Sequence, residues 1–243
     1  MKASTICNTA IKAALYNYGP IQYRDRNTGY GPTWEYNVML WKDGAWHSDC
    51  LGFVHTMVNG FKGDKNVLGG GAKMDAFVLN SDEITTLNSY CSTRGKFPKK
   101  DLKKGAFLYM NGHVGLYVGE YKVKRGNGTT DVYNVAECTM SWGGGAVLSY
   151  VDVSTGKRYN KKGGYQEGAW SNWGYFDRVT YDEKTTTTEK TETVTKKKIL
   201  TLVSEVLDGK WGVTPEREKK LTEKYGKSVY RCIQDIINIL YRN

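Results

Sequence analysis

The sequence is poor in several residue types and patterns, and each shortage excludes a class of protein. Its 243 residues include only 3 His, and its 5 Cys form no CxxC pair, so we expect neither a metal site nor a zinc ribbon. The odd, scattered cysteines argue against a disulfide scaffold and favour thiols made in a reducing compartment. No apolar run reaches the roughly 18 residues of a membrane-spanning helix, so we expect no membrane insertion.

The N-terminal segment also lacks the pattern of a secretory signal. Its apolar stretch, residues 10–15, is interrupted by Lys12, and no small-residue cleavage site follows. We therefore expect no signal peptide and interpret this stretch as part of a helix in the mature fold.

Positive charge is what the chain has in excess. Lys+Arg 35 against Asp+Glu 25 gives a net charge of +10 and a pI near 9.2, which favours an anionic partner, either nucleic acid or the bacterial wall. The basic residues are dispersed through turns instead of forming a stripe with aromatic residues, so we expect no nucleic-acid partner. A hydrophobic content of 40% is enough for a packed core and excludes general disorder.

A change in composition divides the chain. Residues 182–198 contain seven Thr and one apolar residue, Val194, and such a stretch is typical of a solvated linker. The sequence therefore predicts a large domain over 1–181, a linker over 182–198 and a small domain over 199–243. The large domain carries 22 basic and 15 acidic residues, so most of the excess charge belongs to it.

The large domain is predicted to have an α+β fold, because helical patterns come first and strand patterns follow. Helices are expected near 5–18, 50–61 and 81–92. After Pro98 the sequence changes to short apolar runs of period two, separated by turn residues, which predict an antiparallel sheet. The expected strands are 106–110, 113–119, 132–137, 146–153 and 173–181.

The small domain is predicted to contain three helices. Residues 199–207 place their apolar side chains on one helical face, and Val229 to Leu240 do the same. Between them, Thr214 followed by Pro215 is a typical helix start.

Cys50 is the first residue with suggestive chemistry. It follows Ser48 and Asp49, which favour the N-cap position, at the expected start of a helix. Backbone N–H groups and the positive end of the helix dipole favour a thiolate there. The alternative for any cysteine is a small buried core residue, and we assign the other four to packing.

His113 is the second candidate. It opens a predicted strand directly after a turn, where an imidazole can face a cleft, whereas His47 and His55 lie before and within the predicted helix. A Cys–His pair needs one imidazole on rigid backbone opposite the helix start, although a strand histidine also occurs as a purely structural group.

A base histidine needs an acceptor on its second ring nitrogen. Glu137 ends an apolar strand and is our first choice for this role, with Asn134 and Asp131 as alternatives. The competing interpretation of Glu137 is a solvated carboxylate at a strand end.

These segments resemble a known family. Residues 49–54, D-C-L-G-F-V, are similar to the D-C-S-G-F-V nucleophile motif of NlpC-type, CHAP-related, papain-like cell-wall hydrolases. Residues 112–119, G-H-V-G-L-Y-V-G, resemble the G-H-V-G-I-Y-V-G histidine strand of that family. The closing W-S-N-W-G-Y-F of residues 170–176 is similar to the end of phage members, so the resemblance covers about residues 5–181.

The resemblance implies a papain-like domain that hydrolyses an amide bond of peptidoglycan without a metal or cofactor. Cys50 would be the nucleophile, His113 the base and then the acid, and Glu137 the orienting group. Asp49 and Tyr23 are the implied substrate contacts. A phage endolysin of this kind is made in the host cytoplasm and reaches the wall through a membrane lesion.

Three features depart from the family pattern. Leu51 replaces the usual Ser, so any substrate contact by that hydroxyl is absent. Glu137 stands where most members have a histidine, and the segment between Tyr23 and Trp46 is longer than usual.

The small domain has a resemblance of its own. Residues 203–212, which contain the G-K-W-G element, look like the three-helix wall-binding repeat of some pneumococcal-phage lysozymes. This implies that Trp211 and Arg217 contact a muropeptide, while the alternative for Trp211 is a core residue of a small domain. The alternative for the whole protein is a non-catalytic wall-binding protein with a papain-like shell.

Overall fold

The computed structural model describes residues 1–24, 38–73, 82–181, 201–225 and 233–234. By their internal contacts the residues divide into two compact units, Met1–Asp182 and Glu183–Asn243. The sequence-based linker 182–198, Cys232 and most of the third helix expected in the small domain lie outside the described residues.

The first unit has a mixed α+β fold, which confirms the predicted class. Its helices are α1 (Ala3–Ala14), α2 (Cys50–Val58) and α3 (Glu83–Tyr90). All three fall where helices were expected, but each is shorter than predicted.

The early end of α1 is a correction with a local cause. Tyr16 has a φ of 60°, and its N–H and that of Asn17 donate to the carbonyls of Ala13 and Lys12. This arrangement closes a helix with one left-handed residue, a position that glycine usually occupies. Because position 16 is a tyrosine, no residue that commonly ends a helix marks this position in the sequence.

Within the described part of the chain the sheet contains eleven strands, more than the sequence predicted. In chain order they are β1 (Ile21–Tyr23), β2 (Leu40–Lys42), β3 (Ala45–Ser48), β4 (Thr93–Lys96), β5 (Ala106–Met110), β6 (His113–Lys124), β7 (Thr130–Thr139), β8 (Gly145–Val151), β9 (Lys157–Tyr159), β10 (Gln166–Ala169) and β11 (Asn172–Tyr175). The main path has the order β2-β3-β1-β8-β7-β6-β5-β11-β4, and β9 and β10 extend from β8.

Two expectations about the sheet are wrong. Four strands precede Pro98, and β1 pairs with β3 in parallel, so the sheet is mixed instead of wholly antiparallel. Strands of three or four residues are too short to show a period-two pattern, and tertiary pairing decides their conformation.

Each face of the sheet covers its own core. On one face α1 and α2 pack over β6 and β7, where Val114, Leu116, Ala136 and Cys138 join a large apolar cluster. On the other face a smaller cluster surrounds Trp170 and includes Val135. Since neighbouring strand residues point to opposite faces, Glu137 lies on the Trp170 side.

The second unit is described in part. Residues 201–207 form α4, and α5 spans Glu216–Tyr225. The start of α5 lies directly after the predicted Thr214–Pro215 signal. The described core consists of five buried side chains, with Trp211 packed against them: Leu202, Val203, Val206, Leu221 and Ile233.

No helix among the described residues is long and apolar enough to cross a membrane.

Because β1 approaches β8 closely, we predict that Gly145 cannot be replaced by a residue with a Cβ atom without a loss of stability. A Cβ atom there would overlap the carbonyl oxygen of Ile21, so Gly145→Ala must push the strands apart. We expect a loss of about 1–3 kcal/mol in the free energy of unfolding, the usual range for overpacking, measured by urea denaturation. Gly126→Ala is the control, because a Cβ at Gly126 meets nothing within 4 Å. Equal stability of the two variants would contradict the pairing.

Candidate active site

Five strand ends meet at one edge of the sheet. β6 begins at His113 and β7 ends at Thr139, which pairs with Gly145 at the start of β8. β1 joins β8 beside Gly145 and ends at Tyr23, which pairs with Ser48 at the end of β3. The residues that precede α2 and the first residue of β6 therefore lie at the same edge of the sheet.

Cys50 is the first residue of α2, as the sequence predicted. The helix is capped by Asp49, whose Oδ1 accepts a hydrogen bond of 2.6 Å from the Gly52 N–H. The cap fixes the backbone on which Cys50 is presented, and the first N–H groups of a helix have no acceptor within it. Cys50 is therefore set where helix geometry favours a thiolate.

Cys138 links the start of α2 to β7. Its Sγ donates to the carbonyl of Ser48 at 3.5 Å, two residues before Cys50, and Glu137 directly precedes Cys138 in the chain. Burial, followed by the charges of Cys50 and Asp49, raises the pKa of Cys138 well above its usual value. Cys138 is thus a packing residue, as expected, that lies within electrostatic reach of Cys50.

His113 and Glu137 contact each other across neighbouring strands. The Nε2 atom of His113 lies 2.5 Å from Oε2 of Glu137. The imidazole ring also stacks on Trp170, with ring centroids 5.4 Å apart and planes at 23°. Both contacts fix the orientation of the ring, and they leave Nδ1 as the ring nitrogen available for proton transfer.

Glu137 is completely buried, and three side chains satisfy its carboxylate. His113 contacts Oε2, the hydroxyl of Ser149 donates to Oε1, and Arg158 donates from Nε and from Nη2. The Nη2–Oε2 distance is 2.7 Å. A buried carboxylate with donors on both oxygens has one orientation, because rotation would break several hydrogen bonds at once.

The balance of charges keeps Glu137 ionised. Burial by itself would raise its pKa, but the contacts with His113 and Arg158 outweigh burial and lower the pKa to about 2. Glu137 is therefore an acceptor for His113 over the whole physiological pH range.

The two alternative acceptors for His113, Asn134 and Asp131, bind other groups in the described structure. The Asn134 side chain donates to the carbonyl of Val151 and accepts from its N–H. Asp131 pairs with Lys161 and Arg125, which lower its pKa to about 2. Glu137 is thus the one of the three candidates whose contact with His113 is observed.

The other histidines contact groups away from this edge. His47 Nε2 lies 2.9 Å from the carbonyl of Lys42, and His55 Nε2 lies 3.2 Å from the hydroxyl of Thr86. Both rings are buried, so each fits a structural role.

A pocket of about 250 Å³ opens beside His113. Tyr23 lies in its wall, and Asp49 is engaged as the helix cap. A substrate contact by either residue stays a prediction. The lining residues are Tyr23, Met110, Asn111, Gly112, His113, Thr139, Met140, Ser141, Arg158 and Glu167.

The two residues predicted to contact a ligand, Trp211 and Arg217, make contacts with other residues of the second unit. Trp211 packs on the small core and donates from Nε1 to Glu205 at 2.9 Å. Arg217 donates to the hydroxyl of Thr214 at 3.1 Å. Muropeptide binding by Trp211 and Arg217 stays a prediction as well.

Sequence reasoning missed Arg158, Ser149 and Trp142. Arg158 lies in the short strand β9, where one basic residue among several gave no signal. Trp142 has a φ of 57°, rare for a bulky residue, and its ring lies 4.0 Å from the guanidinium carbon of Arg158. The run of glycines after Trp142 was the one visible hint of an unusual backbone at this place.

Among the described residues, no group of three or more His, Cys, Asp or Glu side chains is arranged to hold a metal ion. The chain matches no protein-family model, no curated protein and no solved structure.

The buried ion pair predicts the effect of Glu137→Gln. The variant leaves Arg158 buried without its counter-charge, which typically costs about 3–5 kcal/mol. We expect that loss in urea denaturation at pH 7. Asp131→Asn, in an ion pair at the surface, is the control and should cost much less.

The same carboxylate predicts a pH dependence. Because its pKa is lowered to about 2 in the fold and is about 4.3 in the unfolded chain, its stabilisation is complete above about pH 5 and is lost as the pH falls towards 2. The unfolding free energy of Glu137→Gln should therefore vary less over this range than that of the wild type. Parallel pH curves would contradict the assignment.

Proposed function

We propose that this protein is a cysteine-dependent hydrolase of an amide bond in bacterial peptidoglycan, of the phage endolysin type. The observation that carries the proposal is the buried His113–Glu137 pair at the sheet edge where α2 presents Cys50. A thiol at a helix start, an imidazole on a strand and a fixed carboxylate are the three parts of a Cys–His hydrolase. The papain-like fold implied by the sequence belongs to the same proposal.

The first half-reaction follows from these roles. The Cys50 thiolate attacks the amide carbonyl carbon, and a C–S bond forms. Backbone N–H groups at the start of α2, that of Cys50 among them, stabilise the oxyanion. His113, protonated when the thiol ionised, donates that proton to the amide nitrogen as the C–N bond breaks, and the amine leaves.

The second half-reaction returns the enzyme to its initial state. His113 accepts a proton from a water molecule, whose oxygen attacks the thioester carbon. The C–S bond breaks, and a carboxylic acid and the Cys50 thiolate result. Glu137 accepts a hydrogen bond from Nε2–H throughout, so the other nitrogen of His113 carries out both transfers.

Charge and domain organisation favour the wall as the substrate. A net charge of +7 on residues 1–181 suits a polymer rich in phosphate and carboxylate. A second unit that binds the wall, three-helical in this proposal, would raise the local concentration of the first.

The competing hypothesis is a non-catalytic wall-binding protein that has the same papain-like fold. It explains the charge and the second unit equally well. It does not account for a buried carboxylate that holds the one histidine at the edge where Cys50 is presented, because binding alone needs no such pair.

The activity test is a substitution at the nucleophile. We expect Cys50→Ala to abolish lysis of Gram-positive cell walls, measured by the fall in turbidity, because the variant lacks the sulfur that forms the thioester in this mechanism. Cys7→Ala is the matched control, since Cys7 is also buried but lies in α1 and bonds to the carbonyl of Tyr117. Wild-type lysis that persists in Cys50→Ala would disprove the cysteine mechanism.

Mass spectrometry of the released fragments identifies the bond that is cleaved. A new N-terminus within the peptide would indicate an endopeptidase, and a free lactyl carboxylate on the sugar would indicate an N-acetylmuramoyl-L-alanine amidase. Binding of the intact protein to walls, with no new termini, would support the non-catalytic alternative.

Thiol reactivity gives a second, independent prediction. Burial raises the pKa of both Cys7 and Cys91 to about 12, and that of Cys138 well above its usual value. Iodoacetamide at pH 6 should therefore modify Cys50 in preference to these three, as read by peptide mapping. His113→Ala should slow that reaction, because the thiolate loses its partner; an unchanged rate would argue against a Cys50–His113 pair.

A further inference from the structure

Arg158 is the most deeply buried Lys or Arg residue among those that the structure describes, with 1% of its surface exposed. It lies in the middle of β9, which pairs with β8 on one side and β10 on the other. A guanidinium removed from water is costly unless its donors are satisfied, so its partners indicate why it is there.

The partners of Arg158 converge on Glu137. Nη2 donates to Oε2 of Glu137 at 2.7 Å and to the hydroxyl of Thr139 at 3.2 Å, and Nε lies 3.0 and 3.1 Å from the two carboxylate oxygens. Nη1 donates to the carbonyl of Glu167 at 3.3 Å. Every nitrogen of the guanidinium therefore has an acceptor.

Aromatic rings hold the guanidinium in place. Its central carbon lies 4.0 Å from the Trp142 ring and 5.9 Å from the Trp170 ring. Trp170 also stacks on His113, so one indole contacts both the cation and the imidazole. Arg158 and His113 thus share two partners, Glu137 and Trp170.

Stability alone is a poor reason for this arrangement. Replacing a buried ion pair by apolar residues of similar volume is often neutral or stabilising. What apolar residues cannot provide is an ionised carboxylate with a fixed orientation beside His113.

We propose that Arg158 is a positioning residue of the reaction, which holds the Glu137 carboxylate turned towards Nε2 of His113. The proposal rests on the hydrolase function proposed above, because its effect on activity is exerted through His113. It goes further than that function by adding a fourth residue, one that acts through Glu137 and takes no part in bond making.

The groups around Glu137 define what happens when Arg158 is removed. His113 faces it from β6, Ser149 from β8 and Arg158 from β9, while Cys138 follows it along β7 and points to the other face. Without Arg158, burial opposes ionisation, and His113 and the hydroxyl of Ser149 offset it with one cation fewer. The pKa of Glu137 then rises, and the acidic limb of the rate profile should move to higher pH.

Four variants test the proposal by lysis rates across pH 4–8: Arg158→Met, Arg158→Lys, Glu137→Gln and the double variant of Arg158→Met with Glu137→Gln. We expect Arg158→Met to lower kcat/KM at pH 7 by about 10- to 100-fold, by analogy with residues that orient the histidine ligands of metal sites, and to move the acidic limb to higher pH. Arg158→Lys should restore part of the rate, because it keeps the charge. Arg125→Met, at the exposed ion pair with Asp131, is the control. It should change neither kcat/KM at pH 7 nor the position of the acidic limb.

The double variant separates positioning from an independent role. If Arg158 acts only through Glu137, the double variant should match Glu137→Gln within about twofold. It also removes both buried charges together, so it tests the proposal even if Arg158→Met alone fails to fold. Rate losses that multiply, or an acidic limb that does not move in Arg158→Met and Arg158→Lys, would overturn the proposal.

A titration without any substrate distinguishes this inference from the proposed function. With ¹³C in the glutamate carboxyl groups, the Glu137 signal is assigned by its loss in Glu137→Gln. In the wild type it should not titrate between pH 4 and 8, whereas in Arg158→Lys or Arg158→Met its midpoint should rise. An unchanged midpoint would refute the role of Arg158 even in an active enzyme, and a raised midpoint would uphold the effect of Arg158 on Glu137 even if no wall is hydrolysed.

Discussion

The carboxylate of Glu137 is the constraint on which the rest of the site depends. A fully buried negative charge is tolerated only with a counter-charge and a donor for each oxygen, and here these come from β6, β8 and β9. These three strands must therefore hold the side chains of His113, Ser149 and Arg158 at fixed distances from β7. The same requirement fixes the imidazole of His113, which shares an oxygen of Glu137 with Arg158.

A comparison of Glu137 with Asp131 shows that burial, more than charge, determines which carboxylate can orient the imidazole of His113. Both carboxylates lie on β7, both contact basic groups and both have a pKa lowered to about 2. Asp131 is near the solvent-exposed end of the β6–β7 hairpin, where water screens its ion pairs with Arg125 and Lys161. Glu137 is covered by Trp170 and the neighbouring strands, so water cannot replace a hydrogen-bond donor that its carboxylate loses. Only the buried carboxylate can hold an imidazole in a single orientation.

The helix start and the carboxylate network place the candidate chemistry on rigid elements. Asp49 caps α2 and so fixes the backbone of Cys50, while Glu137 and Trp170 fix the ring of His113. Such preorganisation is what a thiol–imidazole mechanism requires, because proton transfer depends on hydrogen-bond geometry. The adjoining pocket, with Tyr23 and Arg158 in its wall, offers space for a substrate beside His113.

Caps, turns and the period of apolar residues are local signals, and they were enough to predict the α+β class, the start of α2 at Cys50 and the strand that opens with His113. The sequence also left Glu137, Asn134 and Asp131 open as partners of the imidazole. The folded chain shows that His113 contacts Glu137. Local patterns do not predict this contact, since contact across strands depends on register and on the face of the sheet on which each side chain lies. The tertiary structure alone revealed the parallel pairing of β1 with β3 and the burial of Arg158. Short strands and long-range ion pairs leave no local pattern, because their free energy comes from residues far away in the chain.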